Sequence, residues 1–181
     1  MKHSVVRLMV VALVAATMST IGTSTAGAAS NCAPVDLGKQ AIGTVRVGKT
    51  MVDLERVTYP AGGDLFPPAD ARIAGVSARH QPLSAKVGST IIVWHDFWDG
   101  CAGPLNTLMK KKLGFQFSVT DGKGVTRKYE IVEKSTIKMG NYQKSWFALN
   151  GPRQLVMFTC TGELVNGHKV LNEVVRAVPV R

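Results

Sequence analysis

The sequence predicts a mostly β chain, a closed and mostly antiparallel barrel of about eight strands with one or two short helices. Three observations carry this. The apolar runs are short and β-branched, they are bounded by Gly, Pro, Asn and Asp, and apolar residues fall at helical spacing only twice. In chain order, strands are expected near residues 42–47, 50–59, 73–77, 89–95, 115–120, 126–135, 154–160 and 169–179. Asp121-Gly122-Lys123-Gly124 supplies hairpin-turn chemistry between the fifth and sixth of these. Residues 60–70, rich in Gly, Pro and Asp, read as a loop. Residues 104–113 place Leu105, Leu108, Met109 and Leu113 on one helical face, with Pro104 at the start and Gly114 as the stop. Lys110, Lys111 and Lys112 would complement the dipole at the end of that helix. A second, shorter helix is expected within 142–149. Eight short strands with so little helix argue for barrel closure, which leaves no unpaired sheet edge.

Residues 1–28 read as a targeting segment. Lys2 and Arg7 give a positive start, Leu8 to Ala16 an apolar core, and Ala26-Gly27-Ala28 a small-residue cleavage site. The apolar core is shorter than the roughly 20 residues a spanning helix needs, and Thr17, Ser19 and Thr20 interrupt its continuation. Cleavage and export are therefore expected, with retention as an uncleaved N-terminal membrane anchor the other reading. Asn31 ahead of Cys32, where a small residue is needed, argues against a lipoprotein. Residues 29–41 then form an extended lead-in, and residues 42–181 one domain, long enough to bury a sizeable core.

The targeting segment holds two of the 22 basic residues and none of the 12 acidic ones, so the remaining chain carries a net +8. A basic exported surface suits anionic envelope polymers or membrane headgroups, or simply keeps the protein soluble. Export and the lack of any recognition motif exclude a nucleic-acid partner. Three cysteines leave at least one thiol unpaired unless a partner chain supplies a mate. If Cys160 is the reactive one, Cys32 and Cys101 are available to pair outside the cytoplasm, tying the lead-in to the loop after His95. The spacing alone leaves that disulfide open.

Cys160 closes the run Leu155-Val156-Met157-Phe158-Thr159, and His95 closes Ile91-Ile92-Val93-Trp94. Strand ends deliver side chains from a rigid scaffold to a cleft. A thiol attacks a carbonyl as thiolate, and a neighbouring imidazole can take its proton and pass it to the leaving amine. A third group must stabilise the oxyanion. The ordinary alternative for Cys160 is a buried core thiol. His80, beside Arg79 in a polar stretch, and His168, in the turn after Cys160, are rival bases that read as solvated surface. The four His and three Cys lack C-x-x-C or H-x-x-x-H spacing, so no metal site is expected.

A His strand followed by a strand ending in Thr159-Cys160 resembles the pattern of the sortases, the cysteine transpeptidases of bacterial surfaces. The resemblance is to the actinobacterial class F members and covers most of the chain after residue 28. It is carried by Pro67-Pro68-Ala69-Asp70 ahead of Gly75-Val76, and by Gly88-Ser89-Thr90 leading to His95. Asp99-Gly100 and Gly103 then precede Leu105 and Leu108, and Arg153-Gln154-Leu155-Val156 leads to Thr159-Cys160. Asn172 ahead of Val174-Val175, and Ala177-Val178-Pro179-Val180, complete it.

That resemblance implies a closed eight-stranded sortase-type barrel, with Cys160 as nucleophile, His95 as general acid/base and no cofactor. It implies protein substrates bearing an LPxTG-like C-terminal sorting signal, an acyl-thioester intermediate, and transfer to an envelope amine or to water. It also implies an extracytoplasmic location, at the cell surface or secreted.

Two departures bear on the site. Sortases usually carry an Arg near the start of the strand after the cysteine, whereas here the first Arg is Arg176. It lies on the order of 13 Å along the strand from the residues facing Cys160, farther than its side chain reaches. Asn172 and Lys169 are better placed, and Asn172 is favoured as oxyanion or orienting group. The alternative for Asn172 is a strand-edge amide satisfied by turn backbone. The second departure is Trp94, which stands where the family usually has Gly. It should face away from His95 into the core, while Phe97 and Trp98 are expected to line a substrate groove. These departures motivate a competing reading: a catalytically degenerate module that binds envelope or surface proteins. An L,D-transpeptidase is disfavoured, because Phe158-Thr159 stands where such enzymes place His-Gly.

Overall fold

The computed structural model describes residues 32–59, 63 and 65–181; the targeting segment 1–28 and part of the loop 60–70 lie outside them. In chain order the elements are β1 Gly43–Val47, β2 Thr50–Val57, β3 Ala74–Ser77, β4 Ser89–Trp94, β5 Phe97–Trp98 and β6 Cys101–Ala102. There follow α1 Asn106–Met109, β7 Gln116–Asp121, β8 Thr126–Lys138, β9 Gln154–Val165 and β10 His168–Pro179. Eight of these strands close into a barrel in the order β1-β2-β3-β4-β9-β10-β8-β7. All neighbours are antiparallel except β2 with β3 and β4 with β9, which run parallel. A parallel pair cannot be joined by a tight turn. Here the connection from β4 to β9 contains β5 to β8, so residues far apart in sequence finish side by side.

Alternation along each strand sorts the core into two layers. Ile92 and Trp94 of β4, Leu155 and Met157 of β9, and Val175 and Ala177 of β10 face inward, with Val45, Leu54 and Tyr129. Ile91, Val93, Val156, Phe158 and Val174 face outward and are covered by Trp146, with Phe147 and Leu65 packed against them. β4 is therefore buried on both faces. This explains why its sequence is a continuous apolar run without alternation.

Several elements differ from expectation for identifiable reasons. β9 and β10 extend past Cys160 because Asn166-Gly167 adopts a two-residue turn with φ of 51° and 80°, the chemistry of a tight hairpin. Asp99-Gly100, with φ of 50° and 77°, likewise makes the short β5–β6 hairpin where a loop is expected. The helix expected over 104–113 contracts to α1. Leu105, Leu108 and Met109 are buried, but Leu113 is 62% exposed, so nothing holds a longer apolar face. Lys134 donates to the carbonyls of Met109 and Lys111, so a cation from β8 closes the helix. The 142–149 helix is only a 3-10 turn, Lys144–Phe147, pinned by buried Trp146. The lead-in is not wholly extended either: it contains a 3-10 turn at Gly38–Gln40, and the Leu37 N–H donates to Asp53 at 2.7 Å.

Cys32 and Cys101 form a disulfide with Cα atoms 5.3 Å apart, joining the lead-in to β6 across a sequence separation of 69. Closing so long a loop restricts the unfolded chain, for a stabilisation of about 2–4 kcal/mol. Replacing both cysteines by Ser should lower the thermal midpoint by roughly 5–15 °C for a domain of this size. Calorimetry on the two proteins checks this; equal midpoints would show that the bridge contributes no net stability.

Candidate active site

The parallel ladder of β4 and β9 ends at the pair Trp94 and Thr159, and the Thr159 hydroxyl donates to the Trp94 carbonyl at 3.0 Å. The next residue on one side is His95 and on the other Cys160. Val93 and Phe158 face outward, Trp94 and Thr159 are buried, and alternation carries His95 and Cys160 to the outer face. On the far side of β9, Asn172 of β10 stands directly opposite Cys160. The three sequence-predicted residues thus share one patch on three adjacent strands. Cys160 is the free cysteine among the described residues and is half-buried.

His95 is held from several directions. Its Nε2 lies 3.0 Å from the Pro68 carbonyl, and its ring stacks on Trp98 with centroids 5.0 Å apart and planes 17° from parallel. Pro68 can approach because β3 carries Gly75 there. A Cβ on Gly75 would come within 3.0 Å of the proline ring and 2.6 Å of Val57. The turn after His95 is braced by Gly103, whose N–H donates to the Asp96 carbonyl at 2.7 Å. A Cβ on Gly103 would lie 1.7 Å from the His95 carbonyl oxygen, so that position admits only glycine without displacing the turn. Asn106 of α1 accepts from the Trp94 indole at 2.8 Å and donates to the backbone and side chain of Asp96 at 2.7 and 3.0 Å. Trp94 faces the core as expected, and its one polar atom is satisfied there.

Around the thiol, Asn172 is buried and donates to the Tyr142 hydroxyl at 3.1 Å, so its partner is a side chain and not the turn backbone of the alternative reading. Tyr142 stacks edge-on against Phe147 and Phe158. Lys169 forms an ion pair with Asp96. Arg176 is paired with Glu133 at 2.7 Å and stands opposite Val156, well along β10 from the thiol. Phe97 and Trp98 are 60% and 55% exposed, and of the two it is Trp98 that stacks on His95.

Burial pushes the Cys160 thiol up from its ordinary 9.0, with Lys169 pulling it down and Asp96 pushing it further up. Burial likewise holds the His95 imidazole below its ordinary 6.5, opposed by the bond to Pro68. Both directions favour the neutral thiol with the neutral imidazole at rest.

His80 departs from the expected solvated surface. It is half-buried, with Nδ1 2.8 Å from the Ser77 hydroxyl and its ring 5.5 Å from that of Phe147. The β3 exit turns it inward over the Tyr59 hydroxyl, 3.4 Å away. His168 is exposed at the start of β10. Among the described residues no three His, Cys, Asp or Glu side chains converge as a metal site, and no helix is long and apolar enough to cross a membrane. Sequence reasoning missed Pro68, Asp96, Asn106 and Tyr142 as members of this patch. The Asp99-Gly100 turn pair could have revealed the β5–β6 hairpin that carries Trp98 back to His95; nothing local marks Tyr142.

The barrel superposes on solved sortases. Sortase A from Corynebacterium diphtheriae matches with a TM-score of 0.60 over 78% of this chain and 61% of its own, at 19% identity. The pilus-related sortase C of Group B Streptococcus matches with 0.60 over 78% and 68%, also at 19% identity. This chain has the sortase fold. Sortase C-1 from Actinomyces oris agrees, with 0.60 over 78% and 75% at 17% identity. The sortase-fold chain spans about three fifths of the length of the Corynebacterium protein. No protein-family model and no curated protein matches the sequence.

The bracing of His95 by Gly103 gives a direct test of the geometry. Gly103→Ala should destabilise the domain by about 1–3 kcal/mol, as overpacking of a tight site does. It should also weaken the quenching of Trp98 fluorescence on acidification that stacking on His95 predicts. Urea unfolding reads the first and a fluorescence pH titration the second, and parent-like stability would show that the backbone yields there at no cost.

Proposed function

We propose that this chain is an exported cysteine transpeptidase, class F-like among the sortases, which cleaves a C-terminal LPxTG-like sorting signal and transfers the acyl group to an envelope amine. The observation that carries the proposal is that a free, half-buried thiol and an imidazole each follow the last rung, Trp94 against Thr159, of two paired parallel strands. In this reading Cys160 gives up its proton to His95 and attacks the scissile carbonyl, forming the C–S bond. The C–N bond then breaks, the departing amine takes the proton from His95, and the acyl group remains as a thioester. An incoming amine, or water, attacks that thioester and yields its proton to His95 as the sulfur leaves.

Several contacts support these roles. A ring nitrogen bonded to a carbonyl carries a proton, so with Nε2 on Pro68 it is Nδ1 that exchanges the proton with sulfur. Asn172 donates one amide hydrogen to Tyr142, and its second can orient the substrate or support the oxyanion. Phe97 and Trp98 offer exposed aromatic surface for the peptide beside His95. No step calls for a cofactor. The basic surface suits a polyanionic envelope, and the disulfide suits an oxidising compartment. A degenerate binding module is the second reading, favoured by the upward shift of the thiol and the engagement of Arg176 with Glu133.

Two experiments separate them. Incubated with a panel of sorting-signal peptides, the purified domain should release the C-terminal fragment and accumulate a thioester on Cys160 visible by intact mass. Cys160→Ala should abolish both, and His95→Ala should reduce turnover by at least about 10²–10⁴-fold. Undiminished cleavage by Cys160→Ala protein would refute the proposal, and a thiol inert to every peptide would favour the binding module. The productive protonation state holds one proton shared between thiol and imidazole, so kcat/KM should be bell-shaped in pH. Its acid limb belongs to His95 and lies below 6.5; its alkaline limb belongs to Cys160 and lies above 9.0. A profile that falls already between those values would contradict this assignment.

A further inference from the structure

A half-buried thiol and a half-buried imidazole both resist charge, and an anionic sulfur or oxyanion at this site needs a positive partner. Arg176 does not provide it, because its guanidinium is paired with Glu133 and lies opposite Val156. We propose that Lys169 is the cation of this site, tethered over Cys160 by Asp96. The inference rests on the reading of Cys160 as the nucleophile.

The argument is topological. In the barrel β9 lies between β4 and β10. Lys169 is on β10, paired with Leu164, just before the irregularity that separates it from Leu171. Asp96 follows His95, beyond the end of β4. Their ion pair therefore crosses β9, the strand that carries Cys160, on the side of the thiol toward Val165. A lysine at a strand end ordinarily extends into solvent. Here the ammonium is drawn back, with the Lys169 and Asp96 side chains only 24% and 32% exposed.

The tether is itself fixed. Asn106 donates to the Asp96 carboxylate at 3.0 Å and to its carbonyl at 2.7 Å, while accepting from the fully buried Trp94 indole at 2.8 Å. The chain from Trp94 through Asn106 and Asp96 to Lys169 runs from the barrel core to the thiol. It gives the indole before His95 a role beyond packing. The ionisable groups around Cys160 are His95 and Asp96 from the end of β4, Lys169 from β10 and Tyr142 from the segment before Lys144–Phe147. Of these, Lys169 favours the thiolate and Asp96 opposes it.

The test reads the sulfur directly. Carbamidomethylation of Cys160 by iodoacetamide is followed by mass spectrometry across pH in the disulfide-intact protein, where only the free thiol reacts. Lys169→Met should shift the profile to higher pH and slow alkylation about three- to tenfold near neutrality, the size expected for losing one nearby cation. Lys169→Arg, which keeps the charge, should retain the parent profile. A Lys169→Met profile that superimposes on the parent overturns the proposal. So does an equal shift in both variants, since that would be a steric effect. The outcome is separable from transpeptidation. If the Met variant shifts and Arg restores, but no peptide is cleaved by the parent, the cation stands and the enzymatic reading falls. If cleavage depends on Cys160 while both alkylation profiles coincide with the parent's, the enzymatic reading stands and Lys169 is dismissed.

Discussion

The parallel pairing of β4 with β9 is the constraint on which the rest of the molecule depends. The last rung of the ladder, Trp94 against Thr159, is doubled by the Thr159 hydroxyl on the Trp94 carbonyl; β4 stops there while β9 continues to Val165. A slip of one residue in that register would exchange inner for outer faces and carry both His95 and Cys160 to the wrong side. The slip is opposed by burial on both faces of β4, with Ile92 and Trp94 in one apolar layer and Ile91 and Val93 in the other. Core packing and site geometry are therefore one requirement met by the same residues of β4 and β9.

Beyond the rung, the chain at His95 leaves the sheet and must be held by other means. It is clasped between two close approaches, each of which requires a glycine: Gly75, where Pro68 settles on β3, and Gly103, beneath the His95 carbonyl. The ring is bonded to a carbonyl on one side and covered by Trp98 on another. Trp98 is in turn carried on a two-residue hairpin whose second strand is anchored through Cys101 to Cys32. The disulfide thus contributes to more than global stability, because it ties the lead-in to the hairpin that stacks on the imidazole.

All eight barrel strands were legible in the sequence, as were Cys160 and His95 as polar residues that each close an apolar run. They were legible because short β-branched runs and strand-terminal polar residues are local signals. The parallel neighbour of β4 is not local, and neither is anything that depends on it. That Lys169 reaches back across β9 to Asp96 follows from strand order, which residue patterns do not encode. The helix over 104–113 shows the converse failure. Its spacing is sound over Leu105, Leu108 and Met109, but the fourth apolar residue, Leu113, finds no surface to bury against, and Lys134 ends the helix early. His80 misleads for the same reason: polar neighbours in sequence say nothing of Ser77, Tyr59 and Phe147 closing around it.

Half-burial of the site works against ionisation and in favour of chemistry at once. Moving the thiol and imidazole out of water disfavours both charges, so the resting pair is neutral and inert towards casual electrophiles. The same low dielectric strengthens any charge interaction that does form there. A peptide laid over Phe97 and Trp98 would exclude more water and amplify the attraction between an emerging thiolate, the imidazolium and a fixed ammonium. Under the proposed function, reactivity would then appear only when substrate covers the thiol, which suits a half-buried thiol in an oxidising medium. An unprotected low-pKa thiol in the same place would instead oxidise. The upward shift of Cys160, which taken alone argues against catalysis, is therefore compatible with a nucleophile whose activation is delayed until the groove is filled.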